Sequence, residues 1–595
     1  MAKKFIDVMD TTFRDGFQSV FGGRVLMKDF FPAVEAAKTA GITHYEFGGG
    51  ARFQSLYFYL REDAFEMMDE FRKIVGPDAN LQTLARGVNT VMLDTGSKEL
   101  IDLHAKMFKK HGTTTIRNFD ALNDVENLKY SGERIAHHGL KHEVVVTMMD
   151  LPPGCHGAHG VDFYEKTLRD ILDSGIPYNS ICFKDASGTS NPQKVFQTIQ
   201  MARKLVPEGT HLRLHTHETA GVSVAAYMAA LEAGIDGIDM AAAPVSGGTS
   251  QPDILTMLHA TKGMNFDLGG LEIGKILTYE KELQSCLSDY FVPPEATMVS
   301  PIIPFSPMPG GALTANTQMM RDSGDLEKFD EVIAAMKEVV ERGGYGTSVT
   351  PVSQFYWQQA YANVMFGPWK QIAPGYGRMV LGYFGKTPVE ADKEIMELAA
   401  QKLKLDPTTE NPLDIADRDE NKSIAHWTKV LEEEGLETSD ENIFIAGACD
   451  QKGIAFLKGD GPLMVRKGKN NCSGDEEMAG NYTVVVDGKQ YSVQVAEGEG
   501  DIQIAPATAA APVASAAPAG PAGAGSVEIN SQTPGNVWKI LKNPGDSVAE
   551  GDIIMILEAM KMEIDIAAPQ AGKIASINVN VNDTVADAQL LATME

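Results

Sequence analysis

The chain is poor in several things that would define its class. It has five cysteines, Cys155, Cys182, Cys286, Cys449 and Cys472, odd in number, scattered, and with no CxxC pair. That pattern fits free thiols in a reducing compartment, not a disulfide framework. No apolar run reaches the roughly 18 to 20 residues of a membrane span. The opening MAKKFIDVMDTTFRDG carries acids where a signal peptide has its apolar stretch, so a cytoplasmic location is expected. Basic residues are also short: 52 Lys and Arg stand against 80 Asp and Glu, a formal charge of −28. Such a balance repels phosphate backbones and anionic headgroups, and nucleic acid and membrane surface are not expected partners. No GxxxxGK[ST] loop is present to cradle a nucleotide.

What is present falls into blocks. The 595 residues suffice for three or four domains. Residues 505–525 contain only Ala, Pro, Gly, Thr, Val and Ser, with no charge or aromatic ring. This is a linker, and its 21 residues reach up to about 65 Å if extended. Beyond it, Gly535, Val537, Ile540, Asp546, Val548 and Ile553 recur at an offset of 37 as Gly572, Ile574, Ile577, Asp583, Val585 and Leu590. Two copies of a β unit predict a small sandwich with pseudo-twofold symmetry. Between the copies, Glu558-Ala559-Met560-Lys561-Met562-Glu563 would display one lysine at a hairpin tip.

At the other end, eight apolar runs alternate with helical stretches: 5–9, 45–47, 81–84, 114–118, 143–148, 180–183, 211–214 and 237–240. Eight alternations predict a (β/α)8 TIM barrel, whose chemistry sits at the C-terminal ends of the strands. Residues 266–470 read as a mainly α second domain. Residues 471–504 contain a hairpin around Asp487-Gly488. The expected division is thus barrel 1–265, helical domain 266–470, hairpin connector 471–504, linker 505–525 and an all-β carrier 526–595.

Polar residues gather after the barrel strands. His215 and His217 are two apart on a strand, so both rings face one side and could share a metal. Asp15 adds a hard anionic oxygen. A protonated Lys184 cannot ligate, but a neutral amine that takes up carbon dioxide becomes a carbamate oxygen donor. Arg14 and Arg86 offer planar guanidinium forks that match a carboxylate or an enolate oxygen, and Gln18 adds a neutral donor. Read singly, HxH is also a plain polar strand end and each arginine also a structural ion pair. Together they suit a small oxo acid.

Several segments carry a resemblance: Asp10 to Ser19, Gly48-Gly49, Arg86-Gly87, Phe119 to Asp124, Lys184-Asp185, His215-Thr216-His217, Gly248 to Pro252 and Ala559-Met560-Lys561-Met562. In this order they resemble the biotin-dependent carboxyltransferase family, the barrels of pyruvate carboxylase, oxaloacetate decarboxylase and transcarboxylase with their biotinyl tail. The resemblance implies a divalent metal (zinc, manganese or cobalt) on Asp15, carboxylated Lys184, His215 and His217. It implies Gln18 and Arg86 as pyruvate-binding residues, with Arg14 beside the metal and Thr350 relaying a proton between pyruvate and biotin. It further implies biotin on Lys561, attached by a biotin protein ligase and carboxylated by a separate biotin carboxylase subunit, in a homo-oligomer making oxaloacetate. Methionines flanking Lys561 favour biotin over lipoate. The alternative is the reverse reaction, as the α subunit of an oxaloacetate decarboxylase with membrane sodium-pump subunits. A barrel that has lost activity and only presents biotin is a third reading. Gly16-Phe17, Phe47-Gly48-Gly49, Ala186 to Thr189 and Glu218-Thr219-Ala220 depart from the family's usual residues, and are expected to line the pocket.

Overall fold

The computed structural model describes residues 3–468, 480–486, 489–495, 527–531, 535–559, 562–581, 583–585 and 589–595. Strands β1 (Lys4–Asp10), β2 (His44–Gly49), β3 (Asn80–Ala85), β4 (Thr115–Asn118), β5 (Lys141–Thr147), β6 (Ser180–Asp185), β7 (His211–Thr216) and β8 (Gly237–Met240) alternate with helices. They pair in parallel in sequence order, and β1 closes the ring by pairing with both β2 and β8. This is the expected (β/α)8 barrel. A short β9 (Phe266–Leu268), not foreseen, adds to Lys4–Ile6.

Strands buried on both faces read as continuous apolar runs, as Val144, Val145 and Val146 of β5 do. The surrounding helices turn one apolar stripe inward. In Ala64–Val75 this stripe is Met67, Met68, Phe71 and Val75, and the start is capped by Asp63, which accepts from Phe65 N at 2.7 Å.

The barrel interior is not filled by aliphatic residues alone. Arg117 of β4 donates to Glu143 of β5 at 2.6 Å and to Asp239 of β8 at 2.6 Å, while Arg213 of β7 donates to Asp239 at 3.0 Å. Gln82 donates to the same Glu143 oxygen at 2.8 Å. These four charges are fully or almost fully buried, so each depends on its partners for solvation.

The helical region divides differently from the expectation. The helices between 310 and 403 share a core with Leu84, Phe119, Leu122, Met149 and Ala186, residues at the strands' C-terminal ends, and so cover the barrel mouth. In contrast, Ile273–Cys286 packs on Met27–Thr39, and Ile424–Glu433 and Asp440–Leu457 bury Trp427, Leu431 and Phe444 in the barrel's own core. Residues 266–470 are therefore not one separate unit. Hydrophobic periodicity marked the region as helical but not the surface each helix packs against.

The hairpin appears as β10 (Gly480–Val486) antiparallel to β11 (Lys489–Val495); Asp487 and Gly488 lie outside the described residues, as does the linker. The carrier forms two four-stranded sheets. Strands β12 (Val527–Asn530), β19 (Leu590–Met594), β17 (Gly572–Ile577) and β14 (Ser547–Val548) make one, and β16 (Met562–Ala567), β15 (Ile553–Ala559), β13 (Gly535–Ile540) and β18 (Thr584–Val585) the other. The offset-37 repeat is visible in the bonding. Val537 N donates to Asp583 O and Ile574 N to Asp546 O, both at 2.9 Å, so each copy closes on the other. Among the described residues no helix is long and apolar enough to cross a membrane, and Cys155, Cys182, Cys286 and Cys449 are free.

Candidate active site and metal centre

Strand β1 ends at Asp10, whose Oδ1 accepts from Thr12 N at 3.0 Å and turns the chain inward. The wide helical turn Thr12–Gly16 then delivers Arg14 and Asp15 into the mouth, both buried. Arg14 is locked there, donating to Asp15 Oδ1 at 3.0 Å and to Glu46 of β2 at 2.6 Å. Burial opposes ionisation of Asp15, yet Arg14 and His217 hold its carboxyl well below the usual range.

His215 is the penultimate residue of β7 and His217 follows the strand. Both Nε2 atoms lie 3.2 Å from Asp15 Oδ2 and 3.1 Å from each other. Their far sides are fixed: His215 Nδ1 meets Asp239 at 2.8 Å, and His217 Nδ1 meets the Thr249 carbonyl at 2.7 Å. Lys184, at the penultimate position of β6, places Nζ 2.7 Å from His215 Nε2. Its neighbour Asp185 does not pair with it. Asp185 instead accepts backbone N–H bonds from Ser187, Gly188 and Ser190, holding the loop after β6. Burial pushes the Lys184 amine below the usual lysine range, against the pull of Asp15.

Arg14, Asp15, Lys184 and His217 line a cavity of about 40 Å³ with Gln18, Arg86, Thr350, Leu84, Phe119, Ala186 and Val349. Arg86 donates to the carbonyls of Val91 and Met92 at 2.9 and 3.0 Å. No carboxylate lies within 4 Å of it among the described residues, and burial, with Arg14 nearby, lowers it to about 9. Gln18 Oε1 is buried without a partner. A second cavity, of about 200 Å³ and mainly apolar, shares Gln18, Ala51, Gly311, Ala312 and Thr350 with the first and opens outward.

Asp15, Lys184, His215, His217, Arg14, Gln18, Arg86 and Thr350 therefore meet at one mouth. Lys561 lies outside the described residues. Sequence reasoning missed Glu46, Asp239, Arg117 and Gln251. Glu46 and Asp239 sit inside apolar runs, and an acid in a doubly buried strand is itself a signal. Gln251 donates to Asp15 at 2.8 Å and to His217 at 3.0 Å, a role its sequence neighbours do not advertise. The expectation about departures holds only in part. Ala186 lines the cavity, but Phe17 packs edge-on against Phe13 and Phe30, and Phe47 against Phe71, in the core.

Three family models match: an HMGL-like model over residues 154–263, which includes Lys184, His215 and His217; a conserved carboxylase domain over 303–497; and a biotin-requiring enzyme model over 527–594. A pyruvate carboxylase subunit of Methanocaldococcus jannaschii is 28% identical over 94% of both chains. The methylmalonyl-CoA carboxyltransferase 5S subunit of Propionibacterium freudenreichii subsp. shermanii is 29% identical over 83% of this chain and 97% of its own. Together these models and relatives support an enzyme of the biotin-dependent carboxyltransferase kind. Its fold agrees with the carboxyl transferase domain of Rhizobium etli pyruvate carboxylase solved with pyruvate, at TM-score 0.70 and 24% identity over 77% of this chain and 78% of that one.

Biotin and a divalent metal are the cofactors of this carboxyltransferase, and the mouth suits the metal. Asp15, His215 and His217 each bring a ligand atom, all within 4.8 Å of one another and all buried. A carbonyl acceptor on His217 Nδ1 leaves the ring's lone pair on Nε2, facing the centre. Lys184, beside them with its amine pushed toward neutrality, fits a carbamate fourth ligand.

Proposed function

We propose that the protein moves a carboxyl group between biotin on Lys561 and pyruvate, forming oxaloacetate, as the carboxyltransferase and carrier subunit of a two-subunit pyruvate carboxylase. The observation that carries this reading is the buried, carboxylate-free Arg86 facing Asp15, Lys184 and His217 across a cavity for one small molecule. Arg86 binds the carboxylate of the oxo acid, and the Gln18 amide holds it alongside. Arg14 is spent on Asp15 and Glu46, so it fixes the ligand carboxylate and leaves Arg86 as the cation for substrate. One free cation suits one carboxylate. The apolar walls Leu84, Phe119 and Val349 offer nothing to the second carboxylate of 2-oxoglutarate.

Bound on Asp15, His215, His217 and carbamylated Lys184, the metal supplies Lewis-acid stabilisation of an enolate oxygen, and biotin supplies the carboxyl group. Thr350, on the boundary between the two cavities, takes the methyl proton of pyruvate and passes its own to the ureido nitrogen of biotin. The apolar outer cavity suits the biotin ring and keeps water from the enolate. A separate biotin carboxylase subunit reloads biotin, biotin protein ligase attaches it, and the assembly is cytoplasmic and homo-oligomeric.

The test is exchange of labelled pyruvate into oxaloacetate by the metal-loaded, biotinylated chain without ATP, with Lys561→Ala as control. Exchange that vanishes in the control is expected. Its absence from the parent would mean that another acceptor, or none, is served.

A further inference from the structure

The segment Gly248 to Pro252 carries part of the family resemblance, yet none of its residues lines either cavity at the mouth. It lies in the loop between β8 and Ile254–Ala260, and Thr249, Ser250 and Gln251 are fully buried in it. Polar side chains and carbonyls buried to that degree need partners. Those of Thr249 and Gln251 belong to two different elements of the site. The Thr249 carbonyl meets His217 Nδ1, just beyond β7, whereas the Gln251 amide meets Asp15, in the turn after β1.

Asp15 has a donor on each oxygen. Arg14 Nη1 donates to Oδ1 at 3.0 Å, and Gln251 Nε2 donates to Oδ2 at 2.8 Å. Oδ2 is the oxygen that lies 3.2 Å from both His215 Nε2 and His217 Nε2. The amide is fixed at both ends. An ionised Asp15 only accepts, and on the far side Oε1 is reached by the hydroxyls of Thr11 at 2.7 Å and Ser250 at 3.2 Å, so the N–H group points to Asp15. The other neighbour of Nε2 is His217 Nε2 at 3.0 Å, whose lone pair a metal takes; Asp15 is the partner that remains in a loaded centre.

The loop itself is held from above. Thr249 N and Oγ1 both donate to the Ala296 carbonyl at 3.0 Å. Gly310, which opens the helix Gly310–Ser323 over the mouth, stands so close that a Cβ there would lie 1.6 Å from the Thr249 oxygen. Backbone therefore packs on backbone at this point, and Gln251 acts on Asp15 from a fixed support.

We propose that Gln251 is a positioning residue of the metal centre: it holds Asp15 so that Oδ2 faces the two imidazoles and Asp15 binds the cation through that one oxygen. A carboxylate held by Arg14 at Oδ1 alone would be free to pivot about that bond. The inference rests on the reading of Asp15, Lys184, His215 and His217 as the ligand set.

The test uses the full chain loaded with cobalt, read by its visible absorption and by competition with a chelator. Gln251→Met keeps the bulk of the side chain and removes the donor. Cobalt affinity should fall about 10- to 100-fold, and the visible bands should shift as the geometry at Asp15 loosens. Thr11→Val leaves Gln251 in place and weakens its anchor. It should move both readouts the same way by a smaller amount, and it decides the matter if Gln251→Met does not fold. Variants that melt earlier yet keep the parent's cobalt affinity and spectrum overturn the positioning role. A parent chain that takes up no cobalt, or an Asp15→Ala chain that keeps the parent's affinity, overturns the ligand set instead.

Discussion

The carbonyl oxygen of Thr249 lies 2.7 Å from Nδ1 of His217. A carbonyl only accepts, so Nδ1 carries the proton and Nε2 turns its lone pair toward Asp15, 3.2 Å away. His215 is aimed the same way by Asp239. The two rings are thus oriented by different devices, a backbone carbonyl and a buried carboxylate, and only the second can be removed by substitution.

Asp239→Asn keeps the shape and removes the charge that Arg117 and Arg213 share. Two buried guanidiniums then lose one of the two anions they share, Glu143 remaining as the other, a change expected to cost about 3 kcal/mol of stability. Metal retention should fall between about 10- and 100-fold as His215 loses its orienting partner. Chemical denaturation and elemental analysis after dialysis against a chelator check the two effects separately.

Lys184→Ala should lower metal occupancy even though Asp15, His215 and His217 remain. Lys184→Glu puts a carboxylate near the place of the carbamate oxygen and should restore part of it. In the parent, occupancy should depend on dissolved carbon dioxide during loading, and in Lys184→Glu it should not. Unchanged occupancy in Lys184→Ala would remove the lysine from the ligand set.

Much of this was legible in the sequence, for reasons that differ between regions. The barrel strands are short apolar runs that end in polar residues, so both their existence and their functional ends could be read. The offset-37 repeat placed the carrier strands because Asp546 and Asp583 accept from Asn543 N and Asn580 N in matching turns. The buried ladder of Arg117, Glu143, Arg213 and Asp239 was not legible. Its members lie up to 122 residues apart, and only barrel closure brings them together. The return of Ile424–Glu433 and Asp440–Leu457 to the barrel was hidden for a similar reason: an amphipathic stripe states that a face is buried, not what buries it.

Arg86→Lys keeps a cation at the end of β3 but loses the fork. A lysine cannot present two parallel donors to a carboxylate, so kcat/KM for the oxo acid should fall about 100-fold, on the order of 3 kcal/mol. Metal content should stay near that of the parent, because Arg86 touches none of the ligands. Steady-state kinetics over a pyruvate series decides this, and 2-oxoglutarate should remain a poor acceptor in both proteins.

Thr350→Ala removes the hydroxyl at the boundary of the two cavities. If that hydroxyl carries the proton between substrate and biotin, exchange should drop by about 10² to 10⁴ while pyruvate affinity and metal content persist. Thr350→Ser, which restores the hydroxyl, should recover activity. Full exchange in the alanine variant would send the proton by another route.

Away from the mouth, Glu280 sets a pH dependence of stability. Burial, with Asp253 beside it, pushes its carboxyl from 4.5 up to about 8, while Asp253 is held as the cap of Ile254–Ala260 by Thr256 N at 3.0 Å. The folded chain therefore keeps a proton on Glu280 that the unfolded chain releases near 4.5. Stability from this site is fully present below about 4.5 and is lost as pH rises toward about 8. Because Glu280 is partly exposed, solvent screening reduces the size of the effect. Glu280→Gln cannot ionise and donates to Asp253 at every pH. Its melting temperature should match the parent's near pH 5 and exceed it near pH 8.5, and parallel melting curves at the two pH values would contradict a shared proton between the two carboxyls.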